Sequence, residues 1–368
     1  MKIGITGADG FLAWHLRVYL RLRGIHEVRM ATRTTFAHPE KLADFVVGLD
    51  AVVHLAGMNR GDDAEIETTN VALADALTAA CDYAESHPHI VFFNSTHAER
   101  DTAYGRGKRV AAAHLSVWAN RAGAGFTNLI LPHVFGEHGR PFYNSVVSTF
   151  CHQLALRELP QIIVDGDLEL VHAQEVAAQC VALLESRHKG DLRLVGMPLK
   201  VSALLDKLMD MSSLYFAQIM PDLHEPFDLR LFNTFRSYLY PAYYPVTLKL
   251  HADERGSLFE VIKSESSGQV FLSTTFPGIT RGNHFHARKV ERFLVTTGEA
   301  EIRFRKLFSE EVVTFRVSGD APCYIDIPTF HTHSITNVGA GELVTLFWAN
   351  EIFNPEDADT YIEPVLAR

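Results

Sequence analysis

Four side chains in the last quarter of the sequence have the types and spacing of a metal site. His284 and His286 are one residue apart, Glu291 follows five positions later, and His333 comes further along the chain. On a β-strand, residues two apart face the same side, so the first two imidazoles project together. Three imidazoles and one carboxylate suit a divalent transition metal that keeps one coordination position open. We therefore predict a metal site at these four residues.

A second pair of residues suggests proton transfer. Tyr104 and Lys108 are four positions apart and therefore share one face of a predicted helix. A tyrosine with a pKa near 10 is a poor acid–base catalyst until a nearby cation stabilises its phenolate. Lys108 can supply that cation and also hold a nicotinamide ribose. A hydroxyl at the end of the preceding strand, from Thr96 or Ser95, is expected to orient a substrate carbonyl.

The first strand is followed by a glycine loop, in the stretch "ITGADGFLAWHL". Gly7 can make the tight turn, and Gly10 allows the backbone to approach a pyrophosphate at the N-terminus of the first helix. Ala13 stands where a third glycine would ease the packing of helix on strand. This layout within a βαβ unit predicts a dinucleotide-binding site.

The end of the second strand indicates which dinucleotide is bound. An acidic residue there would hydrogen-bond the ribose hydroxyls of NAD, whereas an arginine suits the 2′-phosphate of NADP. The sequence reads "MATRTT", with Arg33 and no acidic residue. We therefore expect NADPH as the cofactor.

The pattern of apolar runs divides the chain into two halves. Up to about residue 215, short apolar strands alternate with longer helical patterns, as in parallel βαβ units. The stretch 221–245 has four prolines among many aromatic residues and is interpreted as a linker packed against a domain. After residue 246, short strands follow one another between glycine turns, which predicts a β-sandwich or barrel.

The first half, up to about residue 240, resembles the extended short-chain dehydrogenases/reductases. The matching features are the glycine loop, "HLAG" (54–57), Asn70, the Tyr104–Lys108 pair and "LVHAQEVA" (170–177). Two positions depart from the family pattern: Thr96 lies only eight residues before Tyr104, and His133 stands where asparagine is usual. The resemblance implies catalysis by Thr96, Tyr104 and Lys108. It also implies that the cofactor contacts Gly7, Gly10, Phe11, Arg33, Leu55, Ala56, Tyr104 and Lys108.

The second half resembles the cupins. It contains G-x5-H-x-H-x4-E-x6-G followed by P-x4-H-x3-N, with Phe330 where the second motif usually has glycine. The resemblance favours zinc as the metal. His331 is outside the motif, and we interpret it as an exposed loop histidine rather than as a catalytic one. The fold class is therefore predicted as α/β plus all-β, with an NADP-binding Rossmann-type reductase domain (doubly wound parallel sheet) at 1–244 and a metal-binding cupin β-barrel (jelly roll) at 245–368.

Within the cupin half, "DERGSLFEV" (253–261) and "TRGNHFH" (280–286) resemble the nucleotide-sugar epimerases of the RmlC type. That resemblance implies that Arg255 and Glu260 hold the nucleotide end of the substrate. Arg281 is expected to add to phosphate binding, because a guanidinium matches the geometry of a diphosphate.

The whole chain resembles the CapF-type bifunctional enzymes of capsular polysaccharide synthesis. "HLAG-x-NR", "YNSVVSTFC" (143–151) and the ending "NPEDADTY" carry this match, which places Asn144 in substrate binding. It implies a UDP-sugar substrate whose C3 is epimerised in the cupin, with NADPH then reducing C4. The expected product is UDP-2-acetamido-2,6-dideoxy-L-talose, from the UDP-N-acetyl-L-fucosamine pathway. Cupins commonly pair through strand edges, so a homodimer is expected.

Two other functions are compatible with the sequence. The cupin could act as an iron oxygenase or isomerase beside a reductase of another 4-keto sugar, or it could serve only for dimerisation and binding.

Composition excludes further classes of function. A net charge of −10 argues against nucleic acid as a partner. The chain has no apolar run of the roughly 20 residues that span a bilayer. The N-terminal stretch lacks the layout of a signal peptide. The four cysteines show no C-x-x-C spacing, so a cytoplasmic protein is expected.

Overall fold

The computed structural model describes residues 1–25, 27–253, 256–258, 261–264 and 268–366. Its helices, in chain order, are α1 (Phe11–Leu22), α2 (Arg33–Phe36), α3 (Pro39–Val46), α4 (Asp63–Tyr83), α5 (Ala103–Ala122), α6 (Val146–Ala155), α7 (Ala173–Ser186), α8 (Val201–Phe216) and α9 (Pro226–Leu239), with a 3₁₀ helix at Thr96–Glu99. Within these residues, no helix is long and apolar enough to cross a membrane.

The strands, in chain order, are β1 (Ile3–Thr6), β2 (Val28–Ala31), β3 (Ala51–His54), β4 (His89–Ser95), β5 (Phe126–Leu131), β6 (His133–Phe135), β7 (Asp167–His172), β8 (Gly190–Arg193), β9 (Met197–Lys200), β10 (Ile219–Met220), β11 (Val246–Thr247), β12 (His251–Asp253), β13 (Gly256–Leu258), β14 (Lys263–Ser264), β15 (Gln269–Thr275), β16 (Thr280–Phe285), β17 (Glu291–Thr297), β18 (Glu299–Lys306), β19 (Val312–Ser318), β20 (Cys323–Ile327), β21 (His331–Asn337), β22 (Leu343–Ala349) and β23 (Tyr361–Ile362).

The chain forms two compact units, each built from two segments. The first unit comprises Met1–Phe135 and Asp167–Leu199, and the second comprises Gly136–Gly166 and Lys200–Arg368. Helices α6, α8 and α9 therefore belong to the same unit as the C-terminal strands. The predicted bounds of the reductase domain (1–244) and of the cupin domain (245–368) stay a prediction.

The first unit has the predicted doubly wound parallel sheet, with strand order β2-β1-β3-β4-β5-β8. Successive residues of its central strands point into two separate cores. On β3, Val53 packs with helices α1 and α7 on one side of the sheet, whereas Val52 packs with α3, α4 and α5 on the other. Because both faces are covered, the strands are apolar throughout, as is typical of parallel sheets. The predicted α/β fold of this half is confirmed.

The second unit contains the predicted β-barrel. Two five-stranded sheets, in the orders β11-β20-β17-β22-β15 and β19-β18-β21-β16-β23, enclose a hydrophobic core. Neighbouring strands are antiparallel, so the pairing brings residues that are distant in sequence side by side; His284 on β16, for example, is opposite His333 on β21. The cupin-like all-β architecture is confirmed.

The interpretation of 221–245 as a linker was incomplete. Helix α9 occupies residues 226–239, with Pro226 in its first turn, where the missing N–H does no harm. Leu231, Phe235 and Leu239 recur at helical spacing and are all buried. The many aromatic residues are thus the apolar face of a helix, and the prolines mark the ends of that helix.

A buried polar network connects the helices of the second unit to its barrel. Arg292 on β17 is 1% exposed and makes two hydrogen bonds to the Asp326 carboxylate on β20, Nε to Oδ1 at 2.7 Å and Nη2 to Oδ2 at 3.0 Å. The hydroxyl of Tyr215 on α8 donates to the same carboxylate and lies 2.5 Å from the hydroxyl of Tyr244. The guanidinium also stacks 3.5 Å above the centre of the Tyr324 ring.

We expect Asp326→Asn to destabilise the barrel by about 3–5 kcal/mol, because it leaves the Arg292 charge buried without a counter-ion. Hydrogen exchange at the β17 and β20 amides measures that loss. The double variant Arg292→Met/Asp326→Leu, which removes both charges, should recover most of the stability. Equal stability of the single and double variants would contradict the network's role.

Candidate functional site

The glycine loop has the geometry of a cofactor site. Gly7 has φ +65°, and a Cβ there would lie 2.9 Å from the backbone nitrogen of Ala56, so only glycine fits. The Thr6 hydroxyl accepts hydrogen bonds at 3.1 Å from the backbone N–H groups of both Leu55 and Ala56. Gly10 caps helix α1, which begins at Phe11. The structure therefore brings together all of the predicted pyrophosphate-binding positions.

Arg33 lies at the position expected for reading the cofactor's ribose. It is exposed and is the first residue of helix α2, directly beyond β2. The carbonyl of Ala31, at the end of β2, accepts a hydrogen bond from the N–H of Ala8 in the glycine loop at 3.3 Å. A cofactor on that loop would thus have Arg33 near its adenosine end.

Tyr104 and Lys108 lie on one face of helix α5, which Thr102 caps by accepting from the Gly105 N–H at 3.1 Å. Lys108 is 5% exposed, and its Nζ donates to the Phe93 carbonyl at 2.7 Å and lies 6.0 Å from the centre of the Tyr104 ring. Burial raises the pKa of Tyr104 to about 12 and lowers the pKa of Lys108 to about 7. Tyr104 therefore carries its proton at neutral pH, as a proton donor must.

The lowered pKa of Lys108 predicts how the reaction depends on pH. Above about pH 7 the free protein loses the ammonium charge, so kcat/KM for reduction should fall about tenfold for each further pH unit. Lys108→Arg keeps the charge at all these pH values and should remove the fall, even at a lower plateau. The measurement is NADPH oxidation between pH 6 and 9. A similar fall in the arginine variant would assign it to another group.

Thr96 begins the 3₁₀ helix and lines a cleft of about 330 Å³, together with His133, Arg100 and Glu169. The neighbouring Ser95 is otherwise engaged, since its hydroxyl accepts from the His97 N–H at 3.1 Å. The role of the Thr96 hydroxyl in orienting a substrate carbonyl stays a prediction. His133, the departure from the family pattern, lies in the same cleft and contacts the edge of His97 at 5.5 Å between ring centres.

The four predicted metal ligands converge in the barrel. One ligand atom from each of His284, His286, Glu291 and His333 lies within 4.8 Å of those of the others. His286 Nε2 is 3.1 Å from Glu291 Oε2, and His333 Nε2 is 3.9 Å from the same oxygen. The register brings two ligands together, since His284 is opposite His333 across the β16–β21 ladder.

The protonation and hydrogen bonding of these imidazoles fit the binding of a metal ion. Burial, and then the neighbouring His286, lowers the pKa of His284 to about 4, and burial lowers the pKa of His333 well below its usual value. Both imidazoles are therefore neutral at pH 7, as ligands must be. The Nε2 atom of His333 is buried and has no hydrogen-bond partner among the described residues. A cation coordinated by that lone pair would satisfy it.

Asp359 is a residue that the sequence interpretation missed. Its backbone carbonyl accepts from His286 Nδ1 at 2.6 Å, which directs Nε2 towards the cluster. Its carboxylate accepts from the backbone N–H groups of Ala287, Arg288 and Lys289, at 3.0, 3.0 and 2.7 Å. Asp359 thus fixes the loop between two ligands. The segment "NPEDADTY" contains no pattern that predicts a contact 70 residues away.

The prediction that His331 is an exposed loop histidine was wrong. It begins strand β21, is 3% exposed, and its Nδ1 donates to the Thr329 carbonyl at 2.9 Å. The centre of the imidazole ring lies 4.9 Å from that of the Tyr240 ring, which follows helix α9.

Phe330 stands where the cupin motif usually has glycine. It has φ +60° and is fully buried, so its packing holds a backbone conformation that favours glycine.

The predicted substrate contacts have different outcomes. Arg281 is on β16, but its guanidinium donates to the Thr275 hydroxyl and the Thr274 carbonyl, both at 2.9 Å. Asn144 is exposed just before helix α6. Arg255 and Glu260 lie outside the described residues. The roles of all four in substrate binding stay predictions.

Comparison with known proteins identifies the two halves separately. Residues 3–195 match the model of the NAD dependent epimerase/dehydratase family. Residues 251–361 match the polysaccharide biosynthesis C-terminal domain. A UDP-N-acetylglucosamine 4-epimerase from Bacillus cereus has a similar fold over 58% of this chain and 82% of its own, at 19% identity and a TM-score of 0.53.

Two relatives match the whole chain. The UDP-2-acetamido-2,6-beta-L-arabino-hexul-4-ose reductase of Pseudomonas aeruginosa is 31% identical, over 98% of each chain. The crystal structure of the capsular polysaccharide assembling protein CapF from Staphylococcus aureus is 33% identical, covers 99% of this chain and 100% of its own, and has a TM-score of 0.66. The chain belongs to the CapF family. As a member of the CapF family with an epimerase/dehydratase domain, it is an NAD(P)-dependent nucleotide-sugar oxidoreductase.

Proposed function

We propose that this protein converts a UDP-4-keto-6-deoxy-N-acetylhexosamine to UDP-2-acetamido-2,6-dideoxy-L-talose in two steps. The barrel inverts C3, and the parallel-sheet domain then reduces C4 with NADPH. The observation that carries the proposal is that one chain holds both a His₃Glu cluster and a Tyr104–Lys108 pair beside a glycine loop. Each set suits one of the two steps, and the steps act on adjacent carbons of one sugar.

The first step requires a cationic centre next to the carbonyl. A 4-keto sugar has an acidic C3 proton, because the negative charge left on its removal delocalises into the carbonyl as an enolate. His284, His286, Glu291 and His333 would hold a divalent metal, with zinc favoured by the resemblance to the cupins. When bound, that ion supplies positive charge that favours the enolate. A base in the barrel takes the C3 proton, and return of a proton to the other face of C3 completes the inversion.

The second step requires a hydride donor and an acid. Gly7, Gly10 and Phe11 would hold the pyrophosphate of NADPH, which supplies the hydride to C4. Tyr104 gives its proton to the C4 oxygen as the carbonyl becomes a hydroxyl, and Thr96 orients that oxygen by a hydrogen bond. Lys108 then stabilises the tyrosinate that remains. Reduction makes the reversible inversion proceed in one direction.

The test is NADPH oxidation with UDP-2-acetamido-2,6-dideoxy-hexos-4-ulose, with the product's stereochemistry determined by NMR. We expect stoichiometric oxidation and the talo product, inverted at C3. Reduction without inversion would contradict a catalytic barrel. Absence of oxidation with this sugar, but activity with another 4-keto sugar, would contradict the proposed substrate.

The preference for NADPH rests on Arg33. We expect Arg33→Ala to raise KM for NADPH about tenfold or more while leaving KM for NADH nearly unchanged, since only NADPH has the 2′-phosphate. The matched control is Arg29→Ala, because Arg29 lies on β2, the strand that leads to Arg33, and its guanidinium donates to the Val47 carbonyl at 2.6 Å. Equal effects on both cofactors would contradict the assignment.

A further inference from the structure

The inner face of the sheet containing β17, β22 and β15 has ordered rows of side chains beside the metal cluster. The strand register aligns each row across the three strands. From the cluster inwards, the rows are Glu291–Ala349–Gln269, Phe293–Phe347–Phe271 and Val295–Thr345–Ser273. A cluster ligand, an aromatic row and a row with two hydroxyls therefore follow one another along the barrel wall.

The hydroxyl row is unusual for a barrel core. Thr345 is 1% exposed, and Leu343 and Phe347, two residues to either side, both belong to the hydrophobic core, so Thr345 faces inwards. Ser273 is directly opposite it on β15. The hydroxyl oxygens of both are buried and have no hydrogen-bond partner in the part of the chain that the structure describes. Buried polar groups normally have partners, so both hydroxyls keep their capacity to donate and accept hydrogen bonds.

The aromatic row is exposed to solvent at one end. Among the described residues, strand β15 is at the edge of its sheet. Phe271 on β15 faces inwards, since its ring stacks on Phe347 at 5.2 Å between centres, and yet it is 39% exposed, against 7% for Phe347. The β15 end of the aromatic row is therefore the end that a ligand can contact first.

The aromatic row continues from the exposed Phe271 ring to the metal cluster. The Phe293 ring lies 4.5 Å from that of Phe347 and 5.6 Å from the imidazole of His333. Adjacent rows on one face of a strand are about 7 Å apart. A sugar ring lying on the aromatic row can therefore reach the hydroxyl row with one end and the cluster with the other.

We propose that Ser273 and Thr345, with the Phe271–Phe347 surface, form the subsite for the hexose ring in the barrel. Hydroxyl side chains both donate and accept, so they suit the hydroxyl, carbonyl and amide groups of a sugar. An apolar surface with a few fixed polar groups is typical of small-ligand sites. This assignment rests on the proposed C3 epimerisation and adds to it the residues that hold the sugar.

The test uses the full chain loaded with zinc. Two measurements are made after UDP-2-acetamido-2,6-dideoxy-hexos-4-ulose is added. The first is deuterium incorporation at C3 in D₂O without NADPH. The second is protection of the β15 and β22 amides from hydrogen exchange when the sugar is added. Thr345→Val removes the hydroxyl at almost constant volume, and we expect it to lower kcat/KM for C3 exchange about fivefold and to reduce the protection. Ser273→Ala should act in the same direction.

Thermal unfolding separates a binding role from a structural one. Removal of a buried, unpaired hydroxyl should leave the melting temperature unchanged or raise it. Thr345→Ser keeps the hydroxyl and should keep the exchange rate. Thr336→Val is the matched control, because that hydroxyl bonds to Thr280 at 2.8 Å on the exposed surface of the same barrel. A lower melting temperature with unchanged C3 exchange in Thr345→Val would overturn the subsite.

The two measurements also distinguish failure of the subsite from failure of the proposed function. If the wild type exchanges C3 and the variants match it, the function stands and the subsite is wrong. If the wild type does not exchange C3 but the sugar protects β15 and β22, epimerisation is wrong and the subsite stands. Absence of both effects overturns both.

Discussion

Tyr104→Phe is expected to reduce NADPH-dependent reduction by about 10²–10⁴-fold, the usual contribution of a positioned general acid. The variant loses only the phenolic hydroxyl, while the ring can still pack on helix α5. Because burial raises the pKa of Tyr104 to about 12, the wild-type residue holds its proton throughout the working range of pH. The loss should therefore be nearly constant between pH 6 and 9. It is measured as kcat/KM for NADPH oxidation with the 4-keto sugar.

Two controls separate this effect from general damage. Deuterium incorporation at C3 should be unchanged in Tyr104→Phe, because the barrel's chemistry does not use this residue. Tyr83→Phe, at the end of helix α4 and 84% exposed, should reduce as fast as the wild type. Retention of more than about a tenth of the reductase activity would show that another group supplies the proton.

His284→Ala is expected to lower C3 exchange by about 10²-fold or more, because an ion that stabilises enolate charge contributes several kcal/mol. Removal of metal by a chelator should have the same effect on the wild type, and re-addition of zinc should restore only the wild type. Metal content by mass spectrometry and C3 exchange by NMR measure the two consequences. Reduction of a sugar that already has the inverted C3 should continue.

Two further variants make the metal prediction sharper. Asp359→Ala removes the carboxylate that holds the loop between His286 and Glu291, so metal affinity should fall about 10- to 100-fold without loss of a ligand. His224→Ala removes an exposed histidine of the same unit, paired with Asp222 at 2.5 Å, and should change nothing. Full C3 exchange by metal-free protein would contradict a catalytic metal.

The glycine loop and the Tyr104–Lys108 pair could be predicted because their geometry is local. Gly7, Gly10 and Phe11 are within five residues of one another, and one turn of helix fixes the relation of Tyr104 to Lys108. The protonation states of Tyr104 and Lys108 could not be predicted in this way, because they depend on burial by the whole domain. The sequence suggested a cation that lowers the pKa of Tyr104, whereas burial raises it to about 12 and lowers that of Lys108 to about 7.

The sequence by itself determined the fold class, the glycine loop and the four residues of the His₃Glu cluster, because hydrophobic periodicity and fixed spacings are properties of short segments. It did not determine that His331 is buried or that Asp359 holds the ligand loop. It could not have placed Ser273 opposite Thr345. Those relations join residues up to 73 positions apart, and only strand register and packing decide which of them meet.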